Sequence, residues 1–260
     1  MGVRRRQTVA APIRIALIGE SWVSTSTHIK GWDFFSSSVY EEGHEFLREA
    51  LSGPGFEFRH IPGHKAPTDA PTTMKELEEL DVVILSDIGA NTLLLHPDVW
   101  LHGKTAPNRL MLLRDWVLGG GALVMCGGYL SFAGIYGSAK FYKSPVEEVL
   151  PITMHERDDR VEAPQGAKVE TKVADHPVLD GVSGPWPALL GYNEVIAKKE
   201  ASVPAEIDGQ PFIATLEPGK GRSLVWTSDI GPHWCPMPFV EWEGYARVWQ
   251  QSMRWLAKRD

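Results

Sequence analysis

The 260-residue sequence lacks the features of disulfide-rich, membrane-spanning and nucleic-acid-binding proteins. It has only two cysteines, too few for a disulfide framework or a zinc site built mainly from cysteine. No apolar run approaches the ~20 residues of a membrane-spanning helix. The net charge of −7 argues against binding a phosphate backbone, which requires clustered lysine and arginine. We therefore expect a cytoplasmic protein with no nucleic-acid or membrane partner.

Motifs for nucleotides and metals are also missing. No Gly-x-Gly-x-x-Gly motif or phosphate-binding loop follows the first apolar run, so no nucleotide cofactor is expected. The nine histidines are scattered along the chain. His60 and His64 lie in a loop-like segment, His155 begins an acidic run, and none has the spacing of a helical metal-binding pair. We interpret these histidines as solvated surface residues and expect neither a metal nor another cofactor.

Short apolar runs alternate with helical patterns along most of the chain. Strands are predicted over residues 13–18, 56–61, 81–85, 122–126 and 222–227. Helices are predicted over residues 39–51, 74–80, 108–118 and 245–256. This alternation predicts an α/β protein with one mostly parallel sheet that is covered by helices on both faces.

The remaining segments define the expected domain organisation. Residues 1–11, which include three consecutive arginines, are expected to form a flexible tail, and residues 12–260 a single domain. Residues 20–38 are interpreted as a long loop with a functional or interface role. Residues 155–170 are interpreted as a polar insertion, and residues 207–210 as a hairpin turn.

Chemically interesting side chains follow four of the predicted strands, where the active sites of parallel sheets lie. Glu20 follows the first strand, and residues 86–91 follow the third. Cys126 ends the fourth strand and has two glycines after it. Asp229 and His233 follow the last predicted strand. A cysteine at such a turn can be an exposed nucleophile or a small buried hydrophobic residue, and Glu20 can be catalytic or an ordinary loop carboxylate. Both alternatives stay open for both residues.

The strand–Cys–x–Gly turn at Cys126 resembles the nucleophile elbow of class I glutamine amidotransferases, and His233 lies where that superfamily has its catalytic histidine. Residues 175–181 and 219–222 are similar to the trehalose-utilisation-like branch. The resemblance implies a three-layer α/β/α, flavodoxin-like fold. It also implies a Cys126 nucleophile, a His233 base and a Glu20 carboxylate that shares a proton with the thiol. The oxyanion and substrate-binding residues it implies, together with those suggested by neighbouring aromatic and polar groups, are Gly89, Asn91, Gly127, Gly128, Trp22, Asp33 and Asp229.

The sequence departs from the superfamily pattern at three positions. Val124 and Leu130 replace the first glycine and the glutamine of the elbow, and Cys235 stands where a glutamate normally follows the histidine. Two functions remain. One is cysteine-dependent hydrolysis or transfer on a small amide or carbonyl substrate. The other is a non-catalytic protein that binds a small molecule or carbohydrate, and a homo-oligomer is expected in either case.

Overall fold

The computed structural model describes residues 11–259, whose main sheet has eight strands and is mixed. The described strands are β1 (Ile13–Gly19), β2 (Ser21–Lys30), β3 (Asp33–Glu42), β4 (Phe56–Ile61), β5 (Val82–Ser86), β6 (Ala122–Cys126), β7 (Ile152–Met154), β8 (Arg160–Ala167), β9 (Val169–Thr171), β10 (Leu189–Asn193), β11 (Val195–Ala197), β12 (Ser202–Ile207), β13 (Gln210–Leu216) and β14 (Arg222–Trp226). The main sheet has the order β4-β1-β5-β6-β14-β13-β12-β9.

The five strands β4, β1, β5, β6 and β14 are parallel to one another, whereas β13, β12 and β9 extend the sheet with antiparallel pairs. The sheet is therefore mixed, and the sequence prediction of a mostly parallel sheet holds for this half. When the parallel strands are numbered by their order in the chain, they lie across the sheet in the order second, first, third, fourth, fifth, which is common in doubly wound sheets. The order reverses between β1 and β5, and a crevice opens there at the carboxyl ends of the strands. The finer expectation of a three-layer, flavodoxin-like fold stays a prediction.

The described helices are α1 (Glu45–Ala50), α2 (Ala66–Asp69), α3 (Met74–Leu77), α4 (Ala90–Leu94), α5 (Pro97–Trp100), α6 (Arg109–Gly119), α7 (Pro145–Val149), α8 (Met237–Val240) and α9 (Glu243–Leu256). Local chemistry sets the ends of α6. The Asn108 side chain accepts hydrogen bonds from the amides of Leu110 and Met111, and Gly120 ends the helix at φ +132°. The predicted helix over residues 108–118 is confirmed.

Alternate residues of the central strands face two separate hydrophobic clusters. In β5, Val82 and Ile84 belong to the cluster that contains α9, whereas Val83 and Leu85 belong to the cluster that contains α6. Because successive strand residues point to opposite faces, this division shows that the sheet is buried on both sides. That double burial explains why these strands have continuous apolar sequences.

The prediction of a long loop over residues 20–38 is wrong, because β2 and β3 form an antiparallel hairpin there. Each residue from 22 to 42 is exposed, and the hairpin packs on neither hydrophobic cluster. Hydroxyl pairs join the strands, with Thr25 Oγ1 2.9 Å from Ser38 Oγ and Thr27 Oγ1 3.0 Å from Ser36 Oγ. The serines and threonines that suggested a loop thus form cross-strand pairs.

Three further predictions need correction. Only residues 45–50 of the helix predicted over 39–51 are helical, because the first part belongs to β3. The polar segment 155–170 contributes β8 and the start of β9, so it is part of the sheet structure. His60 is not a solvated residue, because its side chain is 11% exposed.

Two predictions concern the chain's ends and membranes. The predicted flexible tail falls almost wholly on residues 1–10, which lie outside the described part. Within residues 11–259, no helix has the length and apolar character needed to cross a bilayer.

Candidate active site

The candidate site lies at the carboxyl ends of β1, β5, β6 and β14. Glu20 follows β1, Asp87 follows β5, and the Asp229–His233 segment follows β14. Gly19 allows β1 and β5 to approach, because a Cβ at this position would lie 2.0 Å from the Ser86 carbonyl oxygen. The side chains therefore meet in the crevice where the strand order reverses.

Glu20 is a buried carboxyl group held in an unusual backbone conformation. Glu20 is 7% exposed, and its φ of +49° lies in the left-handed region that non-glycine residues rarely adopt. The Ser86 hydroxyl donates a hydrogen bond of 2.5 Å to Oε2. Burial, with repulsion from the carboxylates of Asp87 and Asp229, raises the pKa of Glu20 to about 8. Glu20 is therefore mainly protonated at neutral pH and can donate a proton.

Cys126 lies at the end of β6, where the sequence predicted it, but its side chain is fully buried. Burial, followed by repulsion from Glu20, raises the pKa of the thiol well above its ordinary value, and a hydrogen bond with Ser86 opposes this shift. The thiol therefore resists ionisation here. Cys235 is also buried, and burial raises its pKa in the same direction.

His233 and Asp229 form a hydrogen-bonded pair. His233 Nδ1 lies 2.7 Å from Asp229 Oδ2, and because a carboxylate can only accept, Nδ1 carries the proton. The Trp234 amide donates to the same oxygen at 3.0 Å, which fixes the carboxylate. The hydrogen bond to Asp229 raises the pKa of His233. Nε2 of the neutral ring is left as the nitrogen that can accept a proton.

The expected Cys126–His233 dyad is not formed in the described chain. Within residues 11–259, no hydrogen bond joins the two side chains, and the groups that act on each pKa do not include the other. The electrostatic neighbours of the thiol are instead Glu20, Ser86 and Asp229. The nucleophilic role of Cys126 stays a prediction.

The turn after Cys126 is tight, as the elbow resemblance implied, but its amide groups are already bonded. Gly127 donates to the carbonyl oxygens of Trp226 and Ser228 at 2.7 and 2.9 Å, and Gly128 donates to Asn193 Oδ1 at 2.9 Å. Both amides are therefore engaged within the turn in this structure, and the expected oxyanion role of Gly127 and Gly128 stays a prediction. Their observed role is to hold the turn.

Two buried polar residues from distant segments support this turn. Asn193, which is fully buried, also donates from Nδ2 to the Gly128 carbonyl oxygen at 3.2 Å and to Asp159 Oδ1 at 2.8 Å. Asp159 in turn accepts from the amides of Ala133 and Gly134, both at 2.9 Å. This connected network rigidifies the floor of the site.

The cavity above the strand ends has a volume of about 370 Å³. Its lining residues are Glu20, Trp22, Gly43, Asp87, Tyr129, Asp229, Gly231, Pro232 and His233. The described chain thus lines it with three acidic side chains, one histidine and two aromatic rings, and with no lysine or arginine. The cavity suits a small ligand that carries no negative charge.

The structure brings together only part of the predicted binding set. Trp22 lines the cavity with Glu20, Asp229 and His233, but Asp33 lies at the far end of the hairpin, paired in the ladder with Lys30. Gly89 is the N-cap of α4 and Asn91 is the second residue of that helix. Neither residue lines the cavity. Asp33 does not line the cavity, and its predicted substrate contact stays a prediction.

Asp87 and Tyr129 line the cavity but were not predicted as site residues. Asp87 has a φ of +43°, accepts from the Leu130 amide at 2.7 Å through Oδ1, and has a pKa raised by burial. Its position directly after β5 was a usable signal. Tyr129 packs edge-on against His233 at a ring distance of 5.0 Å, a contact between segments that no spacing in the sequence reveals.

Comparisons with known proteins concern the family and the overall fold. Residues 14–258 match the model of a family described as "Putative glutamine amidotransferase". A cytoplasmic protein of Salmonella typhimurium is similar at 38% identity, with a TM-score of 0.90 over 93% of this chain and 98% of that chain. A cytoplasmic protein of Salmonella typhimurium LT2 is similar at 39% identity, with a TM-score of 0.90 over 94% and 99% of the two chains.

A more distant likeness supports the fold alone. A thua-like protein from Bacteroides uniformis shares 12% identity, with a TM-score of 0.57 over 97% of this chain and 95% of that chain. A comparison with curated proteins gave no match.

Proposed function

The chain belongs to the family described as "Putative glutamine amidotransferase", and from that premise we propose that it is a cytoplasmic enzyme that hydrolyses a small, uncharged amide. The observation that carries the proposal is the pairing of a protonated carboxyl group with a histidine–carboxylate pair in one cavity. Glu20 has a pKa of about 8, and His233 is oriented by Asp229 across the same cavity. These are the acid and the base that hydrolysis requires.

In the proposed reaction, His233 Nε2 accepts a proton from a water molecule as its oxygen attacks the amide carbon. Glu20 donates a proton to the leaving nitrogen, the carbon–nitrogen bond breaks, and a carboxylic acid and an amine are released. Asp229 holds the imidazole in the tautomer that leaves Nε2 free and stabilises the imidazolium that forms. Among residues 11–259, no lysine or arginine lines the cavity to bind the α-carboxylate of glutamine, which favours a substrate without that group.

The pH dependence of the rate tests this assignment. The base must be neutral, so the rate should rise through the pKa of His233, which the bond to Asp229 holds above its ordinary 6.5. The acid must be protonated, so the rate should fall through the pKa of Glu20, at about 8. The expected profile of kcat/KM is a narrow bell. Glu20→Gln should remove the alkaline limb and slow the reaction, and His233→Ala should abolish the acid limb.

The assay is ammonia release from a panel of uncharged primary amides, with L-glutamine included. Cys126→Ala separates this mechanism from the cysteine-dependent one, because only the latter loses all turnover when the thiol is removed. His102→Gln, which changes an exposed histidine outside the cavity, is the matched control. Ligand binding to the wild type without turnover of any amide would instead support the non-catalytic binding protein.

A further inference from the structure

Three potential metal-binding side chains converge beside the cavity, at the base of the β2–β3 hairpin. Glu42 ends β3, His44 is the N-cap of α1, and His60 lies in β4. Glu42 Oε2 is 3.4 Å from His44 Nδ1 and 3.9 Å from His60 Nδ1. One ligand atom from each residue lies within 4.8 Å of the other two. None of the three lines the cavity proposed for hydrolysis.

The protonation of His60 is set by its other nitrogen. His60 Nε2 lies 2.8 Å from the Gly19 carbonyl oxygen, and because a carbonyl can only accept, Nε2 carries the proton. In the neutral ring, Nδ1 is then an unprotonated lone pair near a carboxylate oxygen. Two acceptors that face each other repel unless a proton or a metal cation lies between them. A histidine that donates its second nitrogen to a backbone carbonyl is also the usual arrangement of a metal ligand.

His44 supplies a second, independent observation. Its side chain is 10% exposed, and its Nδ1 is buried without a hydrogen-bond partner in the described chain. Such an orphaned polar atom is costly in a folded protein. The atom lies close to Glu42 Oε2, in the same gap that Nδ1 of His60 borders, and the two imidazole rings stack with centroids 3.8 Å apart.

Glu42 is also oriented from outside the cluster. The Tyr40 hydroxyl donates to Glu42 Oε1 at 2.6 Å, which leaves Oε2 for the two histidines. Support of this kind for both a histidine and a carboxylate is typical of residues that surround metal ligands. The carboxylate is 36% exposed, so solvent can reach the gap between the three side chains.

We propose that Glu42, His44 and His60 bind a divalent transition-metal ion of the Zn²⁺ type. Two nitrogens and one carboxylate oxygen are ligands that zinc prefers, and the exposed side leaves a fourth position for water. Ligand atoms around a tetrahedral zinc ion lie about 3.3–3.5 Å apart, given bonds of about 2.0–2.2 Å. Glu42 Oε2 lies 3.4 and 3.9 Å from the two histidine Nδ1 atoms, close to this range, and the three ligand atoms all lie within 4.8 Å of one another.

The ion would anchor the hairpin to the sheet. Glu42 belongs to the hairpin, His60 to β4, and Gly19, which accepts from His60, directly precedes Glu20. Gly43 lies between two of the ligands and donates its amide to the Glu20 carbonyl oxygen at 3.1 Å. The inference rests on these contacts and is independent of the hydrolytic function.

The test is a Zn²⁺ titration of the chelator-treated, tag-free full chain in competition with a fluorescent zinc indicator. We expect one Zn²⁺ per chain, and at least about tenfold weaker binding in Glu42→Gln and in His60→Gln. Co²⁺ in place of Zn²⁺ should give the visible absorption of a tetrahedral site in the wild type, and this absorption should be lost in the same variants.

The control is His102→Gln, which removes an exposed histidine elsewhere and should leave Zn²⁺ affinity unchanged. Circular dichroism identifies any variant that fails to fold. Glu42→Gln decides the question in that case, because residue 42 is at the surface and its replacement leaves both histidines in place. A wild type that takes up no stoichiometric Zn²⁺ overturns the proposal, as does equal affinity in the wild type and Glu42→Gln.

Discussion

Glu20→Gln should remove a pH-dependent loss of stability from the protein. Burial and nearby carboxylates raise the pKa of Glu20 from 4.5 to about 8 in the folded state, whereas the unfolded chain ionises near 4.5. Between these values the folded protein keeps a proton that the unfolded chain has released. The free energy of unfolding therefore falls as pH rises, and the Glu20 contribution is complete below pH 4.5 and lost once pH passes about 8. Glutamine has a similar shape and does not ionise.

The magnitude follows from the size of the pKa change. Raising the pKa from 4.5 to about 8 corresponds to about 5 kcal/mol, at about 1.4 kcal/mol per pKa unit. Because the residue is 7% exposed, solvent screens this effect only weakly. Between about pH 5 and about pH 7.5, the wild type should lose about 3 kcal/mol that Glu20→Gln retains. Above about pH 8 the difference between the two proteins should become constant.

Urea unfolding followed by tryptophan fluorescence, at a series of pH values, measures both curves. Glu200→Gln replaces an exposed glutamate and serves as the control, with an expected pH dependence like that of the wild type. Parallel curves for the wild type and Glu20→Gln across this range would refute the reasoning. They would mean that the Glu20 carboxyl group is hydrated and ionised in the folded protein.

Three other predictions concern the turn, the thiols and the hairpin. Gly128→Val should lower the free energy of unfolding by about 2–4 kcal/mol in urea titrations, because φ is +138° and a Cβ would lie 3.0 Å from Asp87 Oδ1. Native Cys126 and Cys235 should both resist iodoacetamide until the protein unfolds, since both are buried. Fast labelling of the native protein that disappears in Cys126→Ser would instead support the predicted role of Cys126 as a nucleophile. The exposed aromatics at the hairpin tip support the expected homo-oligomer, so Trp32→Ser should lower the mass measured by light scattering.

Much of the sheet was predictable because its strands are buried on both faces. The run from Ala122 to Cys126 is confirmed at both ends, and the turn at Asp208 and Gly209 joins β12 to β13 as expected. Local composition carries those signals. The β2–β3 hairpin was missed because its strands pack on no core in the described chain, so the apolar alternation that marks a half-buried strand is weak.

The site was predictable in its parts but not in its contacts. The rule that active sites follow parallel strands located Glu20, Asp229 and His233, which do line one cavity. The same rule placed Cys126 beside them but could not show that its side chain is fully buried. Depth below a strand end depends on packing between distant segments. The convergence of Glu42 with His60 likewise depends on the hairpin, which sequence spacing did not reveal.

Glu20 and Cys126 compete for a single negative charge. The pKa of Glu20 is about 8, whereas burial and the Glu20 carboxylate hold the pKa of the Cys126 thiol well above its ordinary value. On a rise in pH, Glu20 therefore ionises first, and its charge then opposes ionisation of the thiol. At neutral pH, a protein with this order of ionisation has both a protonated carboxyl group that can donate its proton and a protonated cysteine. This order of ionisation is what the proposed acid–base role of Glu20 requires, and it opposes nucleophilic attack by Cys126.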